Sequence, residues 1–197
     1  MAVPAKALLV IAVLFSAVAW AGRADDRKNE PGSQVKERPL GGPFSLTDQN
    51  GRTFTDANLK GKPTLLYFGY SFCPDVCPTA LLLIENAAEG LGEDGPRKVN
   101  LVFVTIDPER DTPKLMKGYV TNFGPTMVGL TGTAEQIASV AHAYDVFYEK
   151  VPGRDGAPYL MAHSSTIYLL DRQGKYIGFF PHDSDAEAIT KALKELR

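Results

Sequence analysis

The sequence predicts an α/β sandwich, in which a central mixed sheet carries helices on both faces. Three observations lead to this prediction. The near-continuous apolar run from Val99 to Ile106 is typical of a strand that is buried on both faces. Segments with helix-start signals separate the apolar runs, so strands and helices alternate along the chain. With 197 residues, 44% of them hydrophobic, the chain can form one domain with a substantial core.

Composition excludes several other classes of protein. Charged residues make up 22% of the chain, which is ordinary for a soluble protein and argues against global disorder. The net charge of −2 disfavours a dedicated nucleic-acid binder, which would normally be basic. Only two cysteines are present, Cys73 and Cys77, so a multi-disulfide scaffold and a Cys-rich zinc finger are both excluded.

Residues 1–22 are predicted to be a signal peptide or a membrane anchor. No charged side chain occurs between Ala7 and Ala21, and this run is apolar on every side. Ala19-Trp20-Ala21 has the small-x-small form of a cleavage site, while an uncleaved anchor stays open as the alternative. In either case the rest of the chain is exported. Residues 23–42 are polar, of mixed sign and rich in breakers, which predicts a flexible linker before a domain at 43–197.

The domain is predicted to open with a β-hairpin, because residues 48–51 contain the Asn-Gly turn signal between two short β-like runs. The further predicted strands are 64–70, 99–106, 165–170 and 175–180. The predicted helices are 78–90, 112–123, 133–142 and 184–196. Pro78 suits a first helical turn, Thr112 is the expected N-cap of the second helix, and Thr133 and Gln136 form a capping box for the third.

The Cys73-Pro-Asp-Val-Cys77 segment follows a predicted strand and opens a predicted helix. Residues four apart on a helical turn face the same way, so the two sulfurs can close a disulfide or bind one metal ion. A helix N-terminus also favours the thiolate form. A purely structural disulfide is the weaker hypothesis, because the short loop between Cys73 and Cys77 would remove little entropy from the unfolded chain.

A third ligand is expected from the predicted topology. Strands 64–70 and 99–106 should be parallel neighbours, so their C-terminal ends share one edge of the sheet. If strand 165–170 runs antiparallel to them, His163 lies at the same edge. The other candidates are expected to lie elsewhere: His142 near a helix end, and His182 at the opposite edge.

Two cysteines and one histidine suit Cu(I) or Zn, and they also bind Cu(II). A sulfur-rich, three-coordinate site in an exported protein favours copper. Met116 and Met127 are predicted to be helix or core residues. Met161, two residues before His163, is also predicted to lie in the core, with an approach to the site as the alternative.

Four motifs of the sequence resemble those of the Sco/SenC family. They are Gly69-Tyr-Ser-Phe-Cys-Pro-Asp-Val-Cys-Pro78, Asp107-Pro-Glu-Arg-Asp-Thr112, Val128-Gly-Leu-Thr-Gly132 and His163-Ser. The resemblance implies a thioredoxin-like fold on an N-terminal membrane anchor. It implies one copper ion held by Cys73, Cys77 and His163, and delivery of copper to the CuA centre of cytochrome c oxidase subunit II. The family commonly has Asp directly before the His, where this chain has Ala162.

The expected localisation is the periplasmic side of a bacterial inner membrane, or the periplasm if the leader is cleaved after Ala21. A copper donor and an exported thiol reductant are the further expected partners, and no nucleic acid is expected. The chain is expected not to be an enzyme. Two alternatives stay open: a specific thiol-disulfide reductase acting on the CuA cysteines, and a thiol redox sensor.

Several residues near the cysteines have weaker predicted roles. Asp75 could raise a thiol pKa or engage a partner, but a solvated turn residue is the favoured interpretation. Asp107 and Arg110 could orient the site or a partner. The local alternative for Asp107 and Arg110 is pairing with Asp111. Tyr70 and Phe72, just before Cys73, are predicted to form an exposed docking rim.

Overall fold

The computed structural model describes residues 39–153 and 156–196. The predicted leader and most of the predicted linker therefore lie outside the described residues. Within the described ranges, no helix combines the length and the apolar character needed to cross a membrane. Gly41, in the last part of the predicted linker, donates a backbone hydrogen bond to Ala143 at 2.8 Å.

Nine strands and four α-helices occur in the described part of the chain. The strands are β1 (Ser45–Asp48), β2 (Thr53–Thr55), β3 (Thr64–Gly69), β4 (Asn100–Thr105), β5 (Met127–Thr131), β6 (Tyr148–Val151), β7 (Leu160–His163), β8 (Thr166–Leu170) and β9 (Tyr176–Pro181). The helices are α1 (Val76–Glu89), α2 (Pro113–Val120), α3 (Ala134–Ala143) and α4 (Ala186–Glu195).

Seven strands form one mixed sheet in the order β2-β1-β5-β4-β3-β8-β9. β4 lies between β3 and β5 and is parallel to both. β8 pairs antiparallel with β3, and β9 pairs antiparallel with β8. The predicted directions of β3, β4 and β8 are therefore confirmed. β6 and β7 form a separate antiparallel ribbon.

Helices cover both faces of the sheet, as the alternation along β3 shows. Successive side chains of a strand point to opposite faces. Tyr67 faces Phe103, whose ring packs on Tyr119 of α2. Phe68 faces the other side and packs against Tyr144, which caps the C-terminus of α3. All six β3 residues are buried, so this strand is the centre of the core. Such a two-faced mixed-sheet sandwich is thioredoxin-like, as predicted.

Three strands were not expected from the sequence. β5 lies between α2 and α3, where only a motif was recognised. Its central Gly129 weakens the strand pattern and permits close packing, since a Cβ there would lie 2.8 Å from Val120. β6 and β7 contain only four residues each, and much of β6 is exposed, so the ribbon has no clear apolar period.

Helix α1 begins two residues earlier than predicted, at Val76 rather than Pro78. The first backbone bond of the helix runs from the N–H of Thr79 to the carbonyl of Asp75 at 3.4 Å. Pro78 is then the third helical residue. At this position a backbone N–H would have no partner within the helix, so the helix loses no hydrogen bond because proline lacks one. This shift places Cys77 inside the first turn. The predicted N-cap at Thr112 and the capping box at Thr133 are confirmed.

Candidate metal centre

The two cysteines lie where β3 passes into α1. Cys73 is half-buried in the loop after β3, and Cys77 is fully buried in the first turn of the helix. Both thiols are free. The backbone N–H of Cys77 donates to the Cys73 sulfur at 3.4 Å. The helix start thus supplies a donor to one sulfur and directs the other sulfur toward the sheet.

Gly69, the last residue of β3, makes room for the Cys77 sulfur. A Cβ at this position would lie 2.7 Å from Cys77 Sγ and 2.9 Å from the Phe103 ring. Neither neighbour can move easily, because both are fully buried. The sequence analysis did not single out this requirement, although glycine within an apolar strand is itself a signal of close approach.

His163 reaches the cysteines from the end of β7. Its Nε2 lies 3.4 Å from Cys77 Sγ. Its Nδ1 lies 2.9 Å from the backbone carbonyl of Ser164. Because a carbonyl only accepts, Nδ1 carries the proton and donates, which leaves the lone pair of Nε2 directed at the sulfur. The ring is held edge-on by Tyr67 and Tyr70, at centroid distances of 6.3 and 6.0 Å.

The structure brings together the three residues that the sequence analysis proposed as ligands. The Sγ atoms of Cys73 and Cys77 and a ring nitrogen of His163 all lie within 4.8 Å of one another. Metal–sulfur and metal–nitrogen bonds are roughly 2.0–2.3 Å, so one ion can contact all three atoms with little movement. Two soft sulfur ligands and one imidazole suit Cu(I) and Zn.

The two thiols differ sharply in acidity. The hydrogen bond from the Cys77 side chain, with backbone N–H groups of Asp75 and Cys77, holds the pKa of Cys73 well below its ordinary range, although burial opposes this. The Cys73 thiolate and burial together raise the pKa of Cys77 above its ordinary range. In the metal-free, reduced protein, Cys73 is therefore the more acidic thiol of the pair.

Asp111 holds the cysteine loop to the sheet. This fully buried carboxylate accepts from the backbone N–H of Ser71 at 3.0 Å and from the Ser71 hydroxyl at 2.5 Å. It also accepts from the hydroxyl of Thr105, at the end of β4, at 2.6 Å. Burial raises the pKa of Asp111. The expected local pairing occurs through the backbone, since the Asp107 carbonyl accepts from the N–H of Asp111 at 3.0 Å, whereas the Asp111 side chain bonds Ser71 and Thr105 instead.

Asp107 holds the segment that leads into β7. It is buried, it accepts from the hydroxyl of Tyr159 at 2.9 Å, and it forms an ion pair with Arg110. Arg110 in turn donates from Nη1 to the Tyr159 carbonyl at 2.9 Å, and its guanidinium lies 3.7 Å from the centre of the Tyr159 ring. Asp107 is outside the group of close ligand atoms. Asp107 therefore supports the histidine segment indirectly.

The other predicted positions are placed as follows. The Asp75 side chain is exposed, and it is the backbone N–H of Asp75 that faces the Cys73 sulfur. Phe72 is 49% exposed, whereas Tyr70 is 2% exposed. The predicted rim is therefore wrong for Tyr70, because its ring is enclosed between His163 and Arg110. Three methionines are buried as predicted: Met116, Met127 and Met161.

The prediction for His182 is wrong. β9 is antiparallel to β8, with Pro181 opposite Thr166, so His182 lies at the same edge of the sheet as His163. The sequence analysis had placed it at the opposite edge. His182 is nevertheless outside the group of close ligand atoms, and β8 lies between its strand β9 and β3, the strand that leads to Cys73. His142 lies in the last turn of α3, as expected.

Similarity to known proteins extends over the part of the chain that carries this centre. Residues 32–197 match the family model described as SCO1/SenC. The chain belongs to the SCO1/SenC family. It is 44% identical to the SCO2-like protein of Rickettsia felis over 158 residues, which cover 79% of this chain and 76% of that relative. It is 41% identical to the mitochondrial protein SCO2 of Saccharomyces cerevisiae, over 79% of this chain and 52% of that relative.

Solved structures of SCO1/SenC relatives have the same fold. Bradyrhizobium japonicum ScoI, solved with copper bound, has a TM-score of 0.74 and 47% identity, covering 80% of this chain and 99% of that chain. Yeast Sco1, also solved with copper bound, has a TM-score of 0.73 and 35% identity, covering 80% of this chain and 87% of that chain. The solved relatives consist almost entirely of the matched region, so this domain is a folded unit by itself in those proteins.

Replacing Gly69 with Ala should displace the Cys77 sulfur. We expect the free energy of unfolding to fall by about 1–3 kcal/mol, because the new methyl group overpacks a rigid part of the core. Urea denaturation measures the change. Gly178→Ala is the matched control, since Gly178 is also a strand glycine and a Cβ there meets nothing within 4 Å. Equal effects of the two substitutions would contradict the proposed close approach.

Replacing Asp111 with Asn should loosen the cysteine loop. The amide can accept through one oxygen only, so at least one buried donor among Ser71 and Thr105 loses its partner, at a cost of about 1–3 kcal/mol. Hydrogen exchange should show faster opening at residues 70–75 than in the native protein. Asp94→Asn, at an exposed position, should change neither quantity. Unchanged exchange at 70–75 would show that Asp111 does not anchor the loop.

Alkylation of the metal-free, reduced protein should select Cys73. At pH 6 the lowered pKa makes Cys73 a thiolate, while the raised pKa keeps Cys77 protonated. Peptide mass spectrometry after iodoacetamide should therefore find the label on Cys73. Cys77→Ala removes the thiol donor, so Cys73 should react more slowly at pH 6 in that variant. A labelling rate that rises through pH 8–9, as for an ordinary thiol, would contradict the assignment.

Proposed function

We propose that this chain is an exported copper metallochaperone. It binds one copper ion per chain through Cys73, Cys77 and His163, and it delivers copper to the CuA centre of cytochrome c oxidase subunit II. The observation that carries the proposal is the convergence of two thiols and one imidazole within 4.8 Å. Relatives at 47% and 35% identity were solved with copper bound, which supports copper as the ion.

Copper loading requires the reduced form of the cysteine pair. A disulfide has no thiolate ligands, so an exported thiol reductant must act on the pair before copper arrives from a donor. Cys73 is already a thiolate and is half-exposed, so it is the first protein ligand that incoming copper meets. Binding then displaces the proton of Cys77, and His163 completes the site through Nε2 without losing a proton.

Copper release proceeds by ligand exchange with the acceptor. The acceptor's thiolates approach from the side of Cys73, while Cys77 is fully buried and remains bound longest. Each incoming thiolate replaces one ligand, so the copper keeps its coordination number and its oxidation state during transfer. The direction of transfer comes from tighter binding in the acceptor. The sequence contains no P-loop motif, and ligand exchange needs no nucleotide.

Attachment to the membrane is the second part of the proposal. The apolar run at residues 7–21 either anchors the chain or directs its export, and the segment at 23–42 links it to the domain. The copper centre would then operate on the periplasmic side of a bacterial inner membrane.

The same cysteine pair supports a second candidate function, thiol-disulfide exchange with the cysteines of the CuA site. The observation in its favour is the low pKa of Cys73 beside a protonated Cys77, an arrangement of an attacking and a resolving thiol. In this reaction Cys73 attacks the acceptor disulfide, Cys77 resolves the mixed disulfide, and the acceptor leaves with two thiols. The electrons come from the Cys73–Cys77 pair.

Titration of the reduced, anaerobic protein with Cu(I), in competition with a chromophoric chelator, tests the metal site. We expect one tight site per chain. His163→Ala should weaken it by more than about tenfold, since even outer partners of metal ligands are worth about 10- to 100-fold in affinity. His182→Ala is the matched control, because His182 lies at the same edge but outside the ligand group. Binding that is absent, or equally affected by both substitutions, would contradict the assignment.

Transfer is tested by mixing the copper-loaded protein with the copper-free soluble domain of subunit II. After the two proteins are separated, copper bound to the subunit II domain, measured by metal analysis, supports delivery. If subunit II cysteines become reduced while no copper moves, the thiol-disulfide reaction is the function instead.

A further inference from the structure

We propose that the edge of the sheet opposite the metal centre binds the anionic phospholipid surface of the membrane and turns the metal centre away from it. This inference rests on the membrane attachment proposed above. The surface, here named the basic edge, consists of five exposed cationic residues: Lys60, Lys62, Arg97, Lys98 and Arg172.

The topology places the basic edge and the metal centre at opposite ends of the same strands. Lys62 comes just before β3, and the far end of β3 leads to Cys73. Lys98 comes just before β4, which is parallel to β3. Arg172 comes just after β8, which runs antiparallel to β3 and begins just after His163. Six residues of β3 span about 20 Å. A surface bound to the basic edge therefore leaves the metal centre facing the aqueous phase.

The five cations belong to one surface, because hydrogen bonds connect the three chain segments that carry them. Gly61 donates its backbone N–H to the Arg172 carbonyl at 2.8 Å, and Arg172 Nε donates back to the Gly61 carbonyl at 3.1 Å. Asn100, which follows the segment of Arg97 and Lys98, donates its backbone N–H to the Pro63 carbonyl at 2.9 Å. Four of the cations, with Gly61 and Pro63, line a shallow cavity of about 530 Å³. None of the residues lining this cavity is acidic.

The charge of the basic edge contrasts with the net charge of −2 of the chain. Arg97 contacts Asp94 at 3.5 Å, but both side chains are more than half exposed. This ion pair is therefore weak compared with the attraction between Arg97 and an anionic membrane. Lys98 donates from Nζ to the Glu93 carbonyl at 2.5 Å, which leaves its charge uncompensated. Each Lys or Arg near an anionic bilayer raises binding by about fivefold.

A lipid surface is the favoured partner because the segment before the domain is predicted to attach the chain to a membrane. Only 17 residues, 22–38, separate the apolar run of the predicted anchor from the described part of the domain, so the domain stays within about 60 Å of the bilayer. At such high local concentration, a weak electrostatic contact is sufficient to set the orientation. The predicted linker by itself allows either end of the domain to face the lipid. Binding of the basic edge to the lipid selects the end opposite the metal centre.

Vesicle binding by residues 39–197, without the predicted anchor, tests the surface. We expect binding to vesicles of phosphatidylglycerol and phosphatidylcholine, no binding to phosphatidylcholine alone, and loss of binding in high salt. The double variant Lys60→Gln/Lys62→Gln should bind about 25-fold more weakly. The matched double variant Lys114→Gln/Lys117→Gln removes the same charge from exposed positions of α2 and should bind as the native domain does. Equal loss in both variants would overturn the proposal.

Orientation is tested with the full chain in nanodiscs that contain a nitroxide-headgroup lipid. In anionic nanodiscs, we expect amide signals of residues 60–63, 97–99 and 172–175 to be broadened at least threefold more than those of residues 71–77. Lys60→Gln/Lys62→Gln should abolish the difference while leaving Cu(I) affinity unchanged, which separates this proposal from the copper function. Equal broadening in zwitterionic nanodiscs, or stronger broadening at 71–77, would overturn the proposal.

Discussion

The metal centre depends on the pairing of β3 with two neighbours of opposite direction. β4 runs parallel to β3, so the loops that follow both strands lie at one edge. β8 runs antiparallel to β3, so the residues that precede it lie at the same edge. Cys73 follows β3 and His163 precedes β8, although they are far apart in the sequence. Without this mixed pairing, the imidazole and the thiols would lie at opposite ends of the sheet.

The loop between β4 and α2 then fixes the distance between the two ligand-bearing segments. Asp111 binds Ser71 and so holds the loop that carries Cys73. Asp107 binds Tyr159 and so holds the segment that leads to His163. Both carboxylates are buried, and each is satisfied by donors from a different segment. The arrangement explains why two acidic residues near a metal centre take no part in ligation: their oxygens are already occupied.

The sequence predicts the ligands better than it predicts their supports. The apolar runs of β3 and β4 and the Cys-x3-Cys spacing are local signals, and the parallel pairing follows from the helix between the strands. The antiparallel direction predicted for β8 places His163 at the same edge as the cysteines. The prediction for His182 is wrong because β9 reverses the chain once more and returns His182 to that edge. Ser71 is 40 residues away from its partner Asp111 in the sequence, and the ribbon of β6 and β7 is short and partly exposed, so no local pattern predicts either feature.

The two ends of the domain have different chemistry, and both suit the copper transfer at a membrane that we propose. One end combines a soft, partly exposed ligand group with a buried anchor sulfur, and the other presents cations. X-ray absorption spectroscopy of the copper-loaded protein tests the central claim most directly. Our account predicts a copper ion bound by two sulfur atoms and one imidazole nitrogen, with the imidazole signal lost in His163→Ala. A spectrum without imidazole, or one that His163→Ala leaves unchanged, would contradict it.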